Sequence, residues 1–188
     1  MQQTLKNRRF VIGAVLLTAL VVGIICETIH LAYRRAAYPR EYSEFVSASA
    51  SEFGVPEAVI YATIKTESGF DADAVSYAGA VGLMQLMPAT FRWLTDDMLR
   101  EGLDDSRISD PATNIRYGTY MLSWLYGIYG NWETVFAAYN AGVGNVNKWL
   151  GDPRYSFAGH LTKIPFEETR KYVRRQKDNV RMYERLYY

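Results

Sequence analysis

Residues 10–26, FVIGAVLLTALVVGIIC, are an unbroken run of 17 uncharged residues, preceded by Lys6, Arg8 and Arg9 and ended by Glu27. A helix rising about 1.5 Å per residue covers roughly 26 Å over this run, just enough to cross a thin bilayer. The run therefore predicts one transmembrane helix at 10–26 and leaves the remainder for a separate body. An uncleaved signal anchor is the first reading. A cleaved signal peptide ranks second, because the run exceeds the usual apolar region of about 7–15 residues and no small-residue cleavage site follows closely. Lipidation at Cys26 ranks third, since Ile24 and Ile25 stand where a lipobox prefers small residues. The basic cluster abutting the run places residues 1–9 in the cytoplasm and the domain outside, although Arg34, Arg35 and Arg40 add positive charge on the far side. Residues 27–40 then read as a juxtamembrane linker, with Pro39 at its end.

Residues 41–188 suffice for one domain of ordinary size, and 49% of the chain is apolar, enough for a core. Lys and Arg number 21 against 20 Asp and Glu, so the net charge of +1 gives no electrostatic case for a nucleic-acid partner. One cysteine, Cys26, and two histidines, His30 and His160, exclude disulfide frameworks, thiolate zinc sites and His-rich metal clusters by counting. A mechanism with no metal and no cofactor is favoured. The 15 tyrosines suit a cleft that stacks on sugars, and equally suit half-buried surfaces.

Helical periodicity runs through the domain. Tyr42, Phe45, Val46, Ala50 and Phe53 predict an amphipathic helix over 41–53, stopped by Gly54. Pro56 opens a second helix in which Ile60, Thr63, Ile64 and Glu67 share a face, so a carboxylate sits on a stripe that otherwise points to the core. Gly69 and the acids Asp71 and Asp73 end it, and residues 76–82, SYAGAVG, are too small and glycine-rich for regular structure. Pro88 starts a helix carrying Phe91, Leu94 and Met98, and residues 95–109 form a charged surface connection. Asp110-Pro111 starts a long helix striped by Ile115, Leu122, Leu125, Tyr126 and Tyr129, with Gly118 placed for close packing. Further helices are expected over 132–139 and 146–150, and from Phe166 with Thr169, Val173, Val180, Tyr183 and Tyr187 at core spacing. The connection 151–165, with Pro153, Gly159 and Pro165, is expected to be irregular. The fold class is all-α, with room for one small hairpin.

Glu67 is the candidate for chemistry. Desolvation on an apolar face and the negative end of the helix dipole both disfavour its anion, which raises its pKa toward the value a general acid needs near neutral pH. A partly exposed helix-end glutamate bonded to a backbone group or to Lys65 explains the same periodicity, and periodicity alone favours that reading.

The segments ESGF, AVSYAGAVGLMQLMPAT, NIRYGTYML, AAYNAG and IPFEETRKYV occur in this order between residues 67 and 173. Together they resemble the soluble-type lytic transglycosylases, a lysozyme-like family related to goose-type lysozymes, over roughly residues 42–183. The resemblance implies a lysozyme-like α-helical domain that cleaves the β-1,4 bond between N-acetylmuramic acid and N-acetylglucosamine in the glycan strands of peptidoglycan, with Glu67 as acid and base. It also implies that Ser76 lies near the muramoyl group and that Gln85 and Met87 line the cleft. Tyr139 and Asn140 are expected to hold the sugar and orient the acid, and Glu168 and Tyr172 to form a late cleft wall. Met84, Met87 and Tyr172 could equally be core filler, which is the preferred reading for Met84. Asn114 is expected to support the start of its helix, and Glu168 could simply be stabilised by the helix dipole.

Most glycosidases pair two carboxyl groups. The resemblance implies another route, in which Glu67 protonates the glycosidic oxygen and then, as carboxylate, takes the proton of the muramoyl C6 hydroxyl, leaving a 1,6-anhydromuramoyl end. Asp71 or Asp73 could instead activate water in the manner of a goose-type hydrolase, but both read as turn-forming loop acids. A catalytically idle wall-binding module is the reading from a different class. The expected location is the bacterial cell membrane, crossed once by residues 10–26, with the catalytic domain on the extracytoplasmic side.

Overall fold

The computed structural model describes the backbone of residues 2–188 and the side chains of residues 12–188. It divides in sequence between Pro39 and Arg40 into two compact units. The first is the helix α1 (Gln2–Ala37), 36 residues long. Its portion Ile12–Ala37 is long and apolar enough to cross a membrane. Leu16, Leu17, Leu20 and Ile24 are exposed on it. Thr18 and Thr28 donate their hydroxyls to the carbonyls of Ala14 and Ile24 at 2.9 and 2.7 Å, so these polar groups are satisfied within the helix. The helix continues unbroken past Glu27, so most of the stretch expected as linker is helical.

The second unit contains α2 (Ser43–Phe53), α3 (Glu57–Glu67), α4 (Pro88–Arg92), α5 (Pro111–Tyr129), α6 (Trp132–Ala141), α7 (Val143–Leu150) and α8 (Glu167–Tyr187). α4 runs on into a π turn at Trp93–Met98, and a 3₁₀ turn at Asp105–Ser109 precedes α5. The connection before α8 holds a hairpin, β1 (Ser156–Phe157) against β2 (His160–Leu161), antiparallel around Ala158 and Gly159. Both turn residues have positive φ, 49° and 79°, as a tight hairpin requires.

The ends of the helices follow from local chemistry. Gly54 at φ 68° closes α2 by donating its N–H to the carbonyl of Ala50. Asp110 caps α5 by accepting from the N–H of Thr113 at 3.0 Å, with Pro111 in the first turn. Asn131 caps α6 in the same way through Thr134. The α2 stripe differs from the expected one, because Val46 and Ser49 are buried whereas Phe45 is 37% exposed. Tyr126, expected on the buried face of α5, is likewise 40% exposed.

α3 is the centre of the unit. Ala58 through Ile64 are all buried, so this helix is enclosed on every side and its apolar character is not confined to a stripe. It packs chiefly on α8, where Tyr61 stacks on Tyr183 with ring centroids 5.3 Å apart. Arg40, the first residue of the unit, is clasped by residues near both its ends. Its guanidinium bonds Glu57 at 2.9 Å and lies 5.4–5.5 Å from the ring centroids of Tyr61, Tyr187 and Tyr188.

Candidate active site

Glu67 is the last residue of α3. The chain leaves the helix there because the N–H groups of Ser68 and Gly69 both turn back onto the carbonyl of Ile64, with Gly69 at φ 63°. Ser68 then fixes the helix end to the following loop, its hydroxyl donating to the carbonyl of Leu83 at 2.9 Å and accepting from the N–H of Phe70 at 3.2 Å. Asp71 and Asp73 are exposed, and Asp71 Oδ1 accepts the N–H of Asp73 at 3.0 Å, the turn role expected of Asp71.

The loop 74–87 is held by a small set of bonds. Val81 bridges both Val75 and Leu86 in antiparallel fashion. Ser76 Oγ accepts from the N–H of Ala80 at 3.0 Å. Gln85 sits at φ 49°, and its amide donates to the carbonyls of Ala74 and Gly82 at 3.0 and 2.9 Å. Its donors therefore fasten the loop. Asn114 does the same from below. Its Oδ1 accepts the N–H of Met84 at 2.7 Å, and its Nδ2 donates to the carbonyls of Val81 and Ile108 at 3.0 and 2.7 Å. The bond to Ile108 ties down the turn that leads into α5, the helix-start support expected of Asn114 beside the Asp110 cap, while its other two bonds reach the loop. Met84 is fully buried, as core filler should be, and a Cβ on Gly118 would lie 2.5 Å from its sulfur.

Two tyrosines approach Glu67 from other helices. Tyr172 of α8 donates its hydroxyl to Glu67 Oε1 at 2.6 Å and accepts from Gln176 Nε2 at 2.9 Å. Tyr139 of α6 donates to the carbonyl of Met84 at 2.8 Å. Burial and the negative charge of Glu67 both push the Tyr139 and Tyr172 hydroxyls well above the usual tyrosine pKa, so both remain neutral donors. Burial pushes Glu67 itself up to about 7, against the opposing pulls of the Tyr172 hydrogen bond and the Arg175 charge. Burial thus favours the acid form nearer to neutral pH than for an ordinary glutamate, which suits a group that gives a proton and, once ionised, takes one.

The expected residues thus fall into two groups. Tyr172 touches Glu67, and Tyr139 braces the loop beside it through Met84. Ser76 and Gln85 lie in the loop, Met87 is 40% exposed ahead of α4, Asn140 is half-buried near the end of α6, and Glu168 is exposed in the first turn of α8. Among the described residues none of these five bonds Glu67. Sequence reasoning missed Ser68, Arg175, Gln176 and Asn179. Gln176 and Asn179 are buried, and Asn179 donates to Thr66 Oγ1 at 2.9 Å, next to Glu67. The available signal was their spacing, four and seven residues after Tyr172, which puts amides on the apolar stripe of α8. No cluster of three or more His, Cys, Asp or Glu able to hold a metal ion occurs among the described residues.

Residues 44–157 match the family model described as "Transglycosylase SLT domain". The chain belongs to that family. Its relatives include the soluble lytic murein transglycosylase of Escherichia coli K12, 35% identical over 155 residues that cover 80% of this chain and 23% of the relative. The membrane-bound lytic murein transglycosylase C of Haemophilus ducreyi is 30% identical over 176 residues, 87% of this chain and 46% of that one. The crystal structure of the 70-kDa soluble lytic transglycosylase from Escherichia coli superposes with a TM-score of 0.74 at 31% identity, covering 81% of this chain and 25% of that chain. This transglycosylase SLT domain is therefore predominantly α-helical in the manner its motifs imply. The chain spans about a quarter of the length of the soluble relatives it matches, and its apolar α1 is compatible with a membrane anchor.

Proposed function

We propose that this chain is a membrane-anchored lytic transglycosylase of peptidoglycan, with Glu67 as its single catalytic carboxyl. The observation that carries the reading is the setting of Glu67: a half-buried carboxyl at the end of α3, bonded by Tyr172 at 2.6 Å beside a loop bearing the family motifs, with burial pushing its pKa up. In the first step the protonated Glu67 gives its proton to the oxygen linking N-acetylmuramic acid to N-acetylglucosamine, and the C1–O bond breaks. In the second, the carboxylate takes the proton of the muramoyl C6 hydroxyl while that oxygen bonds to C1. The products are a 1,6-anhydromuramoyl end and a free N-acetylglucosamine end, with no water consumed and Glu67 restored to its acid form. The substrate's own N-acetyl group serves in place of a second carboxylate by stabilising the positive charge that develops at C1. We assign no water-activating role to Asp71 or Asp73, since both are exposed and Asp71 Oδ1 is engaged by the N–H of Asp73 within its own turn.

Tyr172 and Tyr139 orient the acid and its loop, and Ser76, Gln85, Met87, Asn140 and Glu168 bound the cleft in which the glycan lies. Residues 10–26 hold the chain in the cell membrane, residues 1–9 lie in the cytoplasm, and the domain 41–188 faces the wall on the extracytoplasmic side. Turnover of purified peptidoglycan by Glu67→Gln tests the assignment. The variant is expected to fold normally and to lose activity by at least about a thousandfold, as befits removal of a group that both gives and takes the transferred proton. Substantial residual turnover would sink it.

A further inference from the structure

The second unit carries a concentrated positive groove on the side of α8 turned away from Glu67. Tyr172, Gln176, Asn179 and Tyr183 line the inner side of α8 and are buried against the core. Arg170, Arg174, Lys177 and Arg181 repeat the same spacing two residues earlier, roughly 200° around the helix. With the segment 161–164 and the start of α6 they enclose a cavity of about 510 Å³, the size of a small-ligand site. None of the proposed active-site residues lines it.

The charge of this groove runs against that of its surroundings. Residues 40–188 hold 16 Lys and Arg against 19 Asp and Glu, a formal charge of −3. The groove has five cations, with Lys163 joining the four of α8, against only Glu133 and Asp178. Lys177 pairs with Glu133 at 2.6 Å and Arg181 with Asp178 at 3.8 Å. Arg170 is held by the carbonyls of Ile164 and Pro165 at 2.8 and 2.9 Å, which fix its position without cancelling its charge. Lys163 and Arg174 are exposed and make no ion pair among the described residues. Three uncompensated cations, one of them rigidly placed, thus converge on one concavity. Arginine forks suit carboxylates and phosphates alike. The floor decides between them: Leu161, Ile164 and Val173 also line the groove, and apolar surface between cations fits an acidic peptide with small apolar side chains better than a phosphate polymer.

We infer that this groove binds the carboxylate-bearing peptide stems that peptidoglycan strands carry on their muramoyl residues. The inference rests on the proposed substrate. α8 lies between the groove and Glu67, so a stem bound there does not touch the reacting atoms. The groove would hold the enzyme to peptide-bearing wall without taking part in the chemistry.

The test uses the full chain in detergent micelles and a fluorescent pentapeptide, Ala-γ-D-Glu-Lys-D-Ala-D-Ala, followed by anisotropy. Saturable binding is expected, weakened roughly tenfold or more by Lys163→Ala with Arg174→Ala and unchanged by the exposed control Lys148→Ala. Both groove residues are exposed, so the double variant should fold as the parent does. The inference is overturned if the double variant binds the peptide as well as the parent, if a peptide with amidated carboxyls binds equally well, or if polyphosphate binds through these residues and the peptide does not. Cleavage of peptide-free glycan strands separates this result from the proposed function. Parent and double variant should cut such strands at the same rate, whereas a parent that cuts none refutes the enzymatic reading while its peptide binding still stands.

Discussion

At Glu67 the outcome depends on which effects act on one proton. Burial raises its pKa, while the Tyr172 hydroxyl and the Arg175 charge restrain that rise. Tyr172→Phe removes a donor to the carboxylate, so the alkaline limb of the kcat/KM profile, set near pH 7 by loss of the acid form, should move to higher pH. The rate below that limb should fall by about tenfold or more as the carboxyl loses its fixed orientation. Gln176→Leu should act in the same direction and more weakly, because it frees the Tyr172 hydroxyl to rotate without removing it. A pH profile unmoved by either change would contradict this role for the pair. Stability gives a second reading of the same group. The folded pKa of about 7 lies above the ordinary 4.5, so folded chain binds more protons than unfolded chain between these values and loses stability as pH rises through that window. Glu67→Gln should therefore gain on the parent between pH 4 and pH 8, by on the order of 2 kcal/mol once residual solvent access is allowed for. Denaturant titrations at the two pH values check it.

At the scale of elements, the loop 74–87 is placed by other segments more than by its own sequence. Asn114 supplies two bonds from α5, Ser68 ties the end of α3 to Leu83, and Tyr139 holds Met84 from α6. Asn114→Ala should cost about 2–4 kcal/mol by leaving buried loop groups unpaired, visible as a fall in Tm of several degrees. Gly118→Ala should also destabilise, by about 1–3 kcal/mol, since the new methyl meets the buried Met84. A neutral result for either would mean that the loop is held some other way. Here the limits of sequence reading have a physical cause. Helices, caps and the glycine stop at Gly54 were legible because they depend on neighbours within a few residues. Asn114 reads from sequence only as a helix-start residue, because its partners at Val81 and Met84 lie 33 and 30 residues away. Gln176 was missed because a lone amide on an apolar stripe draws attention only once its partner is known.

At the scale of the molecule, a lysozyme-like domain follows an apolar helix in the chain. The 17-residue run and the motif order carried most of this, and the uninterrupted continuation of α1 to Ala37 did not show because residues 27–37 mix charges with apolar positions that suit helix and linker alike. If α1 is the anchor and the domain faces the wall, protease added to cells with a permeabilised outer envelope should remove residues 41–188 without lysis. Survival of the domain until lysis would reverse the topology. The central claim is narrower, that one carboxyl does the work of two by recruiting the muramoyl C6 hydroxyl. Mass spectrometry of peptidoglycan digested by the purified chain addresses it most directly: the account predicts 1,6-anhydromuramoyl ends, and reducing muramoyl ends in their place would contradict it.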